Sequence, residues 1–242
     1  MPHSTPSDVA VLMPAYQLES TIAANVKRVA GVVADWPGVE VIVIDDGSTD
    51  GTRVEADLAA ADHDFVTVVG YPINRGKGGA LQEGFAHSHA ETVIFLDSDL
   101  DLPPEQLPQL LDEFDRLGVD VLVGAKRSAM TPGRYPAPRR LLSLSFVAVN
   151  RLLFRLPIRE TQTGLKIFRR SALEDTLPRL TTLGYAFDLE LLVRIRRAGG
   201  SMAETPVTLS KGSSSGLALR TLWEMGRDTL KIWFRSLRGW RL

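Results

Sequence analysis

The chain has no cysteine, which excludes disulfides, a thiolate nucleophile and cysteine-ligated zinc. It also lacks any run of the ~18 apolar residues that a membrane span requires. The first eight residues have neither a basic segment nor an apolar core. They therefore do not form a signal peptide; a disordered N-terminus on a cytoplasmic protein is expected. There are no internal repeats or low-complexity tracts, and no Gly-x-x-Gly-Lys-Ser/Thr completes a P-loop. Hydrophobic and charged contents of 44% and 24% over 242 residues are those of a globular chain with ample core.

What is present is a series of apolar runs separated by helical patterns. Residues 9–13, 39–44, 66–69, 93–96 and 119–124 read as strands, buried on both faces as in a parallel sheet. Between them, residues 19–33 place Ile22, Val26, Val29 and Val33 on one helical face. Further helices are expected after Gly51, up to His87 and over residues 104–117. Strand and helix alternate, so the class is α/β with a mostly parallel sheet. Such sheets bind ligands at the carboxyl ends of their strands.

The run 93–96 leads into Asp97, Asp99 and Asp101 at alternate positions. On an extended chain alternate side chains point the same way, so the three carboxylates are expected to converge on a cation. Hard oxygen ligands suit Mg²⁺ or Mn²⁺. Asp101 alone also suits capping of the helix that opens at Pro103-Pro104. The second strand ends in Asp45-Asp46, which points to a base, ribose or metal contact, while Asp50 fits the N-cap of the next helix. Tyr16 and Glu19 sit at the first strand-to-helix turn, as ligand contacts or as turn chemistry. Asn74-Arg75-Gly76-Lys77-Gly78-Gly79 opens a helix, where glycines either admit a phosphate to the backbone or allow close helix packing.

Net charge is −1, but its distribution is lopsided. Residues 1–120 hold 6 Lys/Arg against 21 Asp/Glu, a net −15; residues 121–242 hold 22 against 8, a net +14. The basic half is expected to meet an anionic partner. Its loop 125–140 is rich in Pro, Gly and basic residues, and the apolar segment 141–156 reads as a core helix or one lying at a membrane surface. Residues 160–168 read as a turn into a short strand, 186–197 as a helix carrying Asp188 and Glu190, and 202–209 as a last strand. Residues 217–242 interleave Trp223, Trp233, Phe234 and Trp240 with six arginines and lysines. That pattern favours an anionic membrane surface over nucleic acid; a helix packed back on the domain is the plain alternative.

In order along the chain, Pro14-Ala15-Tyr16 with Glu19, Asp45-Asp46-Gly47-Ser48, Asn74-Arg75-Gly76-Lys77-Gly78, Asp97-Ser98-Asp99 and Thr161-Gln162-Thr163-Gly164 resemble family 2 glycosyltransferases of GT-A fold, the dolichyl-phosphate mannose or glucose synthase type. The resemblance covers about residues 9–209 and implies inverting transfer of a sugar from a nucleotide-sugar to a polyprenyl phosphate. It implies that Pro14, Ala15, Tyr16, Glu19, Asp45 and Asp46 hold the nucleoside, with Lys77, Asp97 and Ser98 completing the donor site. Asp97, Asp99 and Asp101 match the metal segment, although relatives often have glutamine in place of Asp101. Lys126, Arg127, Arg139 and Ser143 match acceptor-phosphate positions. Gln162 and Asp99 join the catalytic set with Asp188 and Glu190, the last two expected to orient rather than act as bases. Relatives usually carry aspartate in place of Glu160. The stretch 161–166 is closer to the glucose-type members, which implies a UDP-sugar, with GDP-mannose the alternative. Taken with the basic and aromatic pattern of residues 217–242, which the resemblance does not cover, this reading divides the chain into a catalytic domain over 9–216, with a donor half to residue 124 and an acceptor half beyond it, and a membrane-associating helix over 217–242. It implies a peripheral enzyme at the cytoplasmic face, leaves open a small membrane-protein partner, and implies no nucleic acid.

Overall fold

The computed structural model describes residues 8–126, 153–184, 186–210 and 219–237. Its strands are β1 (Val9–Ala15), β2 (Glu40–Asp45), β3 (Val66–Gly70), β4 (Thr92–Leu96), β5 (Val121–Lys126), β6 (Leu165–Arg169) and β7 (Met202–Val207). They form one sheet in the order β3-β2-β1-β4-β6-β5-β7. Every neighbouring pair is parallel except those made by β6, which runs antiparallel to both β4 and β5. The two halves expected from sequence thus share one sheet.

The helices are α1 (Ile22–Val33), α2 (Thr52–Ala60), α3 (Lys77–His87), α4 (Leu107–Leu117), α5 (Arg170–Glu174), α6 (Phe187–Arg197) and α7 (Leu219–Leu237). Strand side chains alternate between the two faces of the sheet. Val9, Val11 and Met13 of β1 therefore pack with α1, α2 and α4, together with Ile94 and Ile167. Ala10 and Leu12 pack on the other side with α3, α5 and α6, together with Phe95 and Phe168. Each central strand is covered on both faces, which is why it reads as an unbroken apolar run. Helix α4 ends at Gly118, whose φ of 62° closes the last turn with its N–H on the Phe114 carbonyl.

Two elements differ from the sequence expectation. Helix α1 starts at Ile22 rather than near Glu19. The Leu18 and Glu19 amides donate to Thr52 Oγ1 and Asp50 Oδ2, which holds residues 17–19 on the β2–α2 loop. Helix α5 and the 3₁₀ turn Leu177–Arg179 follow β6 with too short an apolar period to be read in advance.

Helix α7 is bound to the domain. Thr229, Ile232 and Ser236 are buried, and Ile232 joins the core on the α6 side of the sheet. Leu230 and Phe234 stay exposed next to Lys231 and Arg235. The helix therefore packs back on the domain and still presents a mixed apolar and basic outer face. Among the described residues no helix is long and apolar enough to cross a membrane.

Candidate active site

The strand directions bring the predicted site residues to one edge. β1, β2, β4 and β5 are mutually parallel, so Ala15, Asp45, Leu96 and Lys126 close the same edge of the sheet. β6 runs the other way and begins there, with Leu165 paired to Leu96. The turn 160–164 is thereby laid against Asp97. The Asp97 amide donates to the Gly164 carbonyl at 2.9 Å, and a Cβ at Gly164 would overlap the Asp97 carboxylate. Glycine is required at 164 for that close approach.

Two lysines and two aspartates meet behind this contact. Lys77 Nζ pairs with Asp97, and both side chains remain partly exposed, at 29% and 36%. Lys166 Nζ bonds Asp188 Oδ1 and the Thr163 carbonyl, each at 2.6 Å, with the two side chains only 1% and 6% exposed. Burial opposes the charge on Lys77, but Asp97 and Asp188 outweigh it and raise its pKa. Burial likewise opposes ionised Asp97, yet Lys77 and Lys166 hold its pKa below the ordinary carboxylate value. Burial, reinforced by Lys77, pulls the Lys166 pKa down despite Asp188. The outer pair is open to a ligand; the inner pair supports it.

The aspartate triplet departs from expectation. β4 ends at Leu96, and residues 97–100 turn, with the Leu100 amide on the Asp97 carbonyl at 3.1 Å and a Leu100 φ of 50°. The extended geometry that would align Asp97, Asp99 and Asp101 is absent, and among the described residues no group of three or more His, Asp or Glu is gathered to hold a metal. Asp99 is exposed, and its Oδ1 accepts the Asp101 amide at 3.1 Å. The residue is open to solvent but its carboxylate is partly desolvated by the surrounding loop, and this, with the neighbouring charges of Asp97 and Asp101, raises its pKa. A cation would relieve that repulsion. One or two carboxylates completed by ligand phosphates is the usual Mg²⁺ arrangement, so these residues fit a divalent metal that arrives with a phosphate-bearing ligand. Ser98 Oγ and Thr163 Oγ1, in the two segments that meet at Asp97, are buried without a hydrogen-bond partner among the described residues.

Asp45 and Asp46 have different surroundings. Asp46 Oδ1 accepts from the Tyr71 hydroxyl at 2.6 Å and the Arg75 amide at 2.8 Å, and Oδ2 accepts from Asn74 at 3.0 Å. Burial and this bond to Asp46 push the Tyr71 pKa up. Asp46 therefore organises the loop that leads into α3. Asp45 carries a single such bond, from the Ser48 amide at 3.1 Å. Tyr16 is 48% exposed at the same edge, Pro14 and Ala15 are paired with β2, and Glu19 lies beside Gly51. Asp50 Oδ1 accepts the Thr52 amide at 3.1 Å, but the N-cap position of α2 is Gly51, so Asp50 stands one residue before the cap expected of it.

The glycine loop serves packing. The Gly78 amide donates to the Leu183 carbonyl at 2.9 Å, and a Cβ at Gly76 or Gly78 would press on Leu183. What the loop presents to the site is Lys77.

In the second half, Glu160 Oε1 accepts the Gln162 amide at 3.2 Å, and burial raises the Glu160 pKa against the pull of Lys126 and Lys166. Lys126 ends β5 at this same edge, and its charge acts on both Glu160 and Asp97. Arg127, Arg139 and Ser143 lie outside the described residues. Asp188 belongs to the cluster. Glu190 does not: its partners are Thr181, Thr182 and Arg194. Positions i and i+2 lie on different faces of a helix, so the two acids of α6 point to different neighbours. Sequence reasoning missed Lys166 and Tyr71. Lys166 had a signal, since it is the one charge between Leu165 and Ile167 in a buried strand. Tyr71 had none.

Residues 10–177 match the family described as Glycosyl transferase family 2, and the chain belongs to it. It is 32% identical over 210 residues to the polyprenol monophosphomannose synthase of Mycolicibacterium smegmatis, covering 83% of this chain and 77% of that protein. It is 30% identical over 234 residues to glycosyltransferase AglD of Haloferax volcanii, covering 94% of this chain but only 37% of that protein. The fold matches a Mycobacterium tuberculosis glucosyl-3-phosphoglycerate synthase, a crystal structure with Mn²⁺, UDP and glucosyl-3-phosphoglycerate. The TM-score is 0.70 at 23% identity, over 94% of this chain and 78% of that one. The architecture is GT-A and the protein is a glycosyltransferase.

Removing one partner of the inner pair leaves an uncompensated buried charge. Asp188→Asn is expected to cost about 3–5 kcal/mol of stability in urea unfolding, and Asp188→Leu with Lys166→Met less than Asp188→Asn alone. Glu160 has a second, pH-dependent signature. Its pKa is raised in the folded protein, so between the unfolded and folded values the native state holds the extra proton, and stability falls as pH rises through that window. Glu160→Gln is therefore expected to melt higher than the native protein at pH 8, with the difference closing toward pH 4.

Proposed function

We propose that this chain transfers a sugar from a UDP-sugar, such as UDP-glucose or a UDP-N-acetylhexosamine, to a polyprenyl phosphate with inversion at the anomeric carbon. The observation that carries the reading is the meeting of Lys77–Asp97, Asp99 and Lys126 at one sheet edge in a family 2 chain. A relative covered over 77% of its length is named for a polyprenol-linked sugar.

In this reaction an acceptor phosphate oxygen attacks the anomeric carbon from the face opposite the diphosphate. The bond to the nucleotide breaks as the new one forms, and the diphosphate leaves with its electron pair. A phosphate monoester has a second pKa of about 6, so at pH 7 it is already largely dianionic and needs no strong base. It needs positive charge to hold it, which Lys126 and the basic second half supply. Asp45, Tyr16 and Glu19 face the nucleoside. Lys77 stands beside the leaving diphosphate, where a fixed cation lowers the barrier. Mg²⁺ or Mn²⁺ held through Asp99, with Asp97 or Asp101, would neutralise the developing charge on that leaving group. Asp188 positions the site through Lys166 and the 160–164 turn. The outer face of α7, with Leu230, Phe234 and Lys231, suits an anionic membrane surface on the cytoplasmic side.

The donor rests on the 161–166 stretch, which resembles glucose-type members, and on the UDP seen in the structural neighbour. GDP-mannose is the second reading, favoured by the mannose synthase relative. The test is transfer of radiolabel from UDP- and GDP-sugars to a short-chain polyprenyl phosphate with Mn²⁺ or Mg²⁺, alongside 3-phosphoglycerate as a non-lipid acceptor. Label is expected in the organic phase from a UDP-sugar, abolished by EDTA and reduced at least ~100-fold by Asp99→Asn, the scale of losing a transition-state charge contact. Label on 3-phosphoglycerate with none in lipid would replace the acceptor.

A further inference from the structure

Glu190 is completely buried on α6 and has no part in the reaction as described above. Its carboxylate is nevertheless one of the most heavily bonded groups in the described chain. Oε1 accepts from the Thr181 amide at 3.2 Å and from Arg194 Nε at 3.0 Å; Oε2 accepts from the Thr182 amide at 2.8 Å. The Thr181 hydroxyl lies 3.1 and 3.2 Å from the two oxygens. A buried carboxylate aimed at two successive backbone amides fixes the segment that carries them.

That segment leads directly to the donor-site lysine. Two residues after Thr181, the Leu183 carbonyl accepts the Gly78 amide at 2.9 Å. Gly76 and Gly78, on either side of Lys77, both lie flush on Leu183: a Cβ at Gly76 would come within 2.7 Å of its carbonyl oxygen, and one at Gly78 within 3.0 Å of its Cα. The backbone of Lys77 is thus seated on residues 183–184, and Lys77 Nζ lies 5.7 Å from the centre of the Phe187 ring, one turn before Glu190 on α6. The other side of the segment meets the C-terminal helix, where Arg235 of α7 donates to the Thr181 hydroxyl at 2.5 Å.

We propose that Glu190 is a positioning residue for sugar transfer: it clamps residues 181–184, which seat the start of α3 and so hold Lys77 against Asp97, and it braces the same segment on α7. The inference rests on the proposed role of Lys77 at the nucleotide diphosphate. Glu190 touches no substrate; it acts through Lys77.

The test is a double-mutant cycle on the full chain, read as UDP affinity by calorimetry with Mn²⁺ and as melting temperature. Glu190→Gln is expected to weaken UDP binding about tenfold, a coupling within the range for residues in one network. In a Lys77→Met background the same change is expected to alter UDP affinity less than about twofold, because the group it acts through is gone. Its effect on melting temperature is expected to be equal in both backgrounds. A merely structural role would lower affinity by the same factor with or without Lys77, and that result, or an unchanged affinity in Glu190→Gln, overturns the proposal. Thr181→Val keeps the carboxylate and removes one donor, so it serves if Glu190→Gln does not fold. It is expected to weaken binding about threefold, again only when Lys77 is present; equal factors in both backgrounds overturn the proposal here too. A native chain that binds no UDP, GDP or nucleotide-sugar removes the functional reading itself, and this inference with it. Native binding with a purely additive cycle removes the inference alone.

Discussion

The carboxyl edge of this sheet depends on placing two ammonium groups and two carboxylates in a largely dry space. Each charge alone would be expelled or neutralised, since taking an ion out of water costs several kcal/mol even after relaxation. In alternation they are tolerated: Lys77 meets Asp97, Asp97 also feels Lys166, Lys166 meets Asp188, and Asp188 also feels Lys77. The arrangement requires the antiparallel β6. A parallel strand in that place would deliver its last residue to the edge; β6 delivers its first, and with it the 160–164 turn. Lys166 then sits one residue inside the sheet, on the face toward α6, where Asp188 waits at the helix start.

The two pairs have different consequences. Lys166–Asp188 is sealed, so it fixes geometry and cannot exchange partners without unfolding the turn. Lys77–Asp97 is about one-third exposed, so a ligand with its own charges can compete for either member. A phosphate would draw Lys77, and a cation would draw Asp97. The Lys77–Asp97 pair is therefore compatible with a ligand that brings both an anion and a metal. It also keeps Asp97 ionised, as the proposed metal site needs.

The sheet was legible because burial on both faces writes itself as apolar runs, and the site edge was legible because polar residues follow those runs directly. Asp45 and Asp97 were found this way, whereas Lys77 came from the glycine-rich helix start and the 160–164 turn from the family resemblance. The geometry around them was not. Alternate spacing predicts a common direction only while the chain stays extended, and β4 ends one residue before Asp97. Adjacent acids looked equivalent at Asp45-Asp46, but Asp46 is committed to a loop 25 or more residues away, through Tyr71 and Asn74, a contact that no local pattern encodes. The glycines at 76 and 78 have the composition of a phosphate loop, yet their missing side chains make room for Leu183. Glycine spacing reports a close approach without saying what approaches. Lys166 was the readable omission, since a lone lysine at an inward position of an apolar strand demands a partner.

The opposite charges of the two halves find their physical account at the same edge. Carboxylates concentrated at the ends of β2 and β4 repel a diphosphate unless cations stand among them, and the described chain offers Lys77 for that purpose. In the proposed reaction this makes donor binding depend on a metal: a dication would offset the charges of Asp97, Asp99 and Asp101, and a dication is what a nucleotide diphosphate carries. An acceptor phosphate has no such escort. It must be held by the protein's own fixed cations, and those lie in the half with the net positive charge. The proposed transfer between two anions is thus served by keeping the acidic, metal-dependent side and the basic, metal-independent side in different stretches of one chain, which share a sheet and converge at its carboxyl edge.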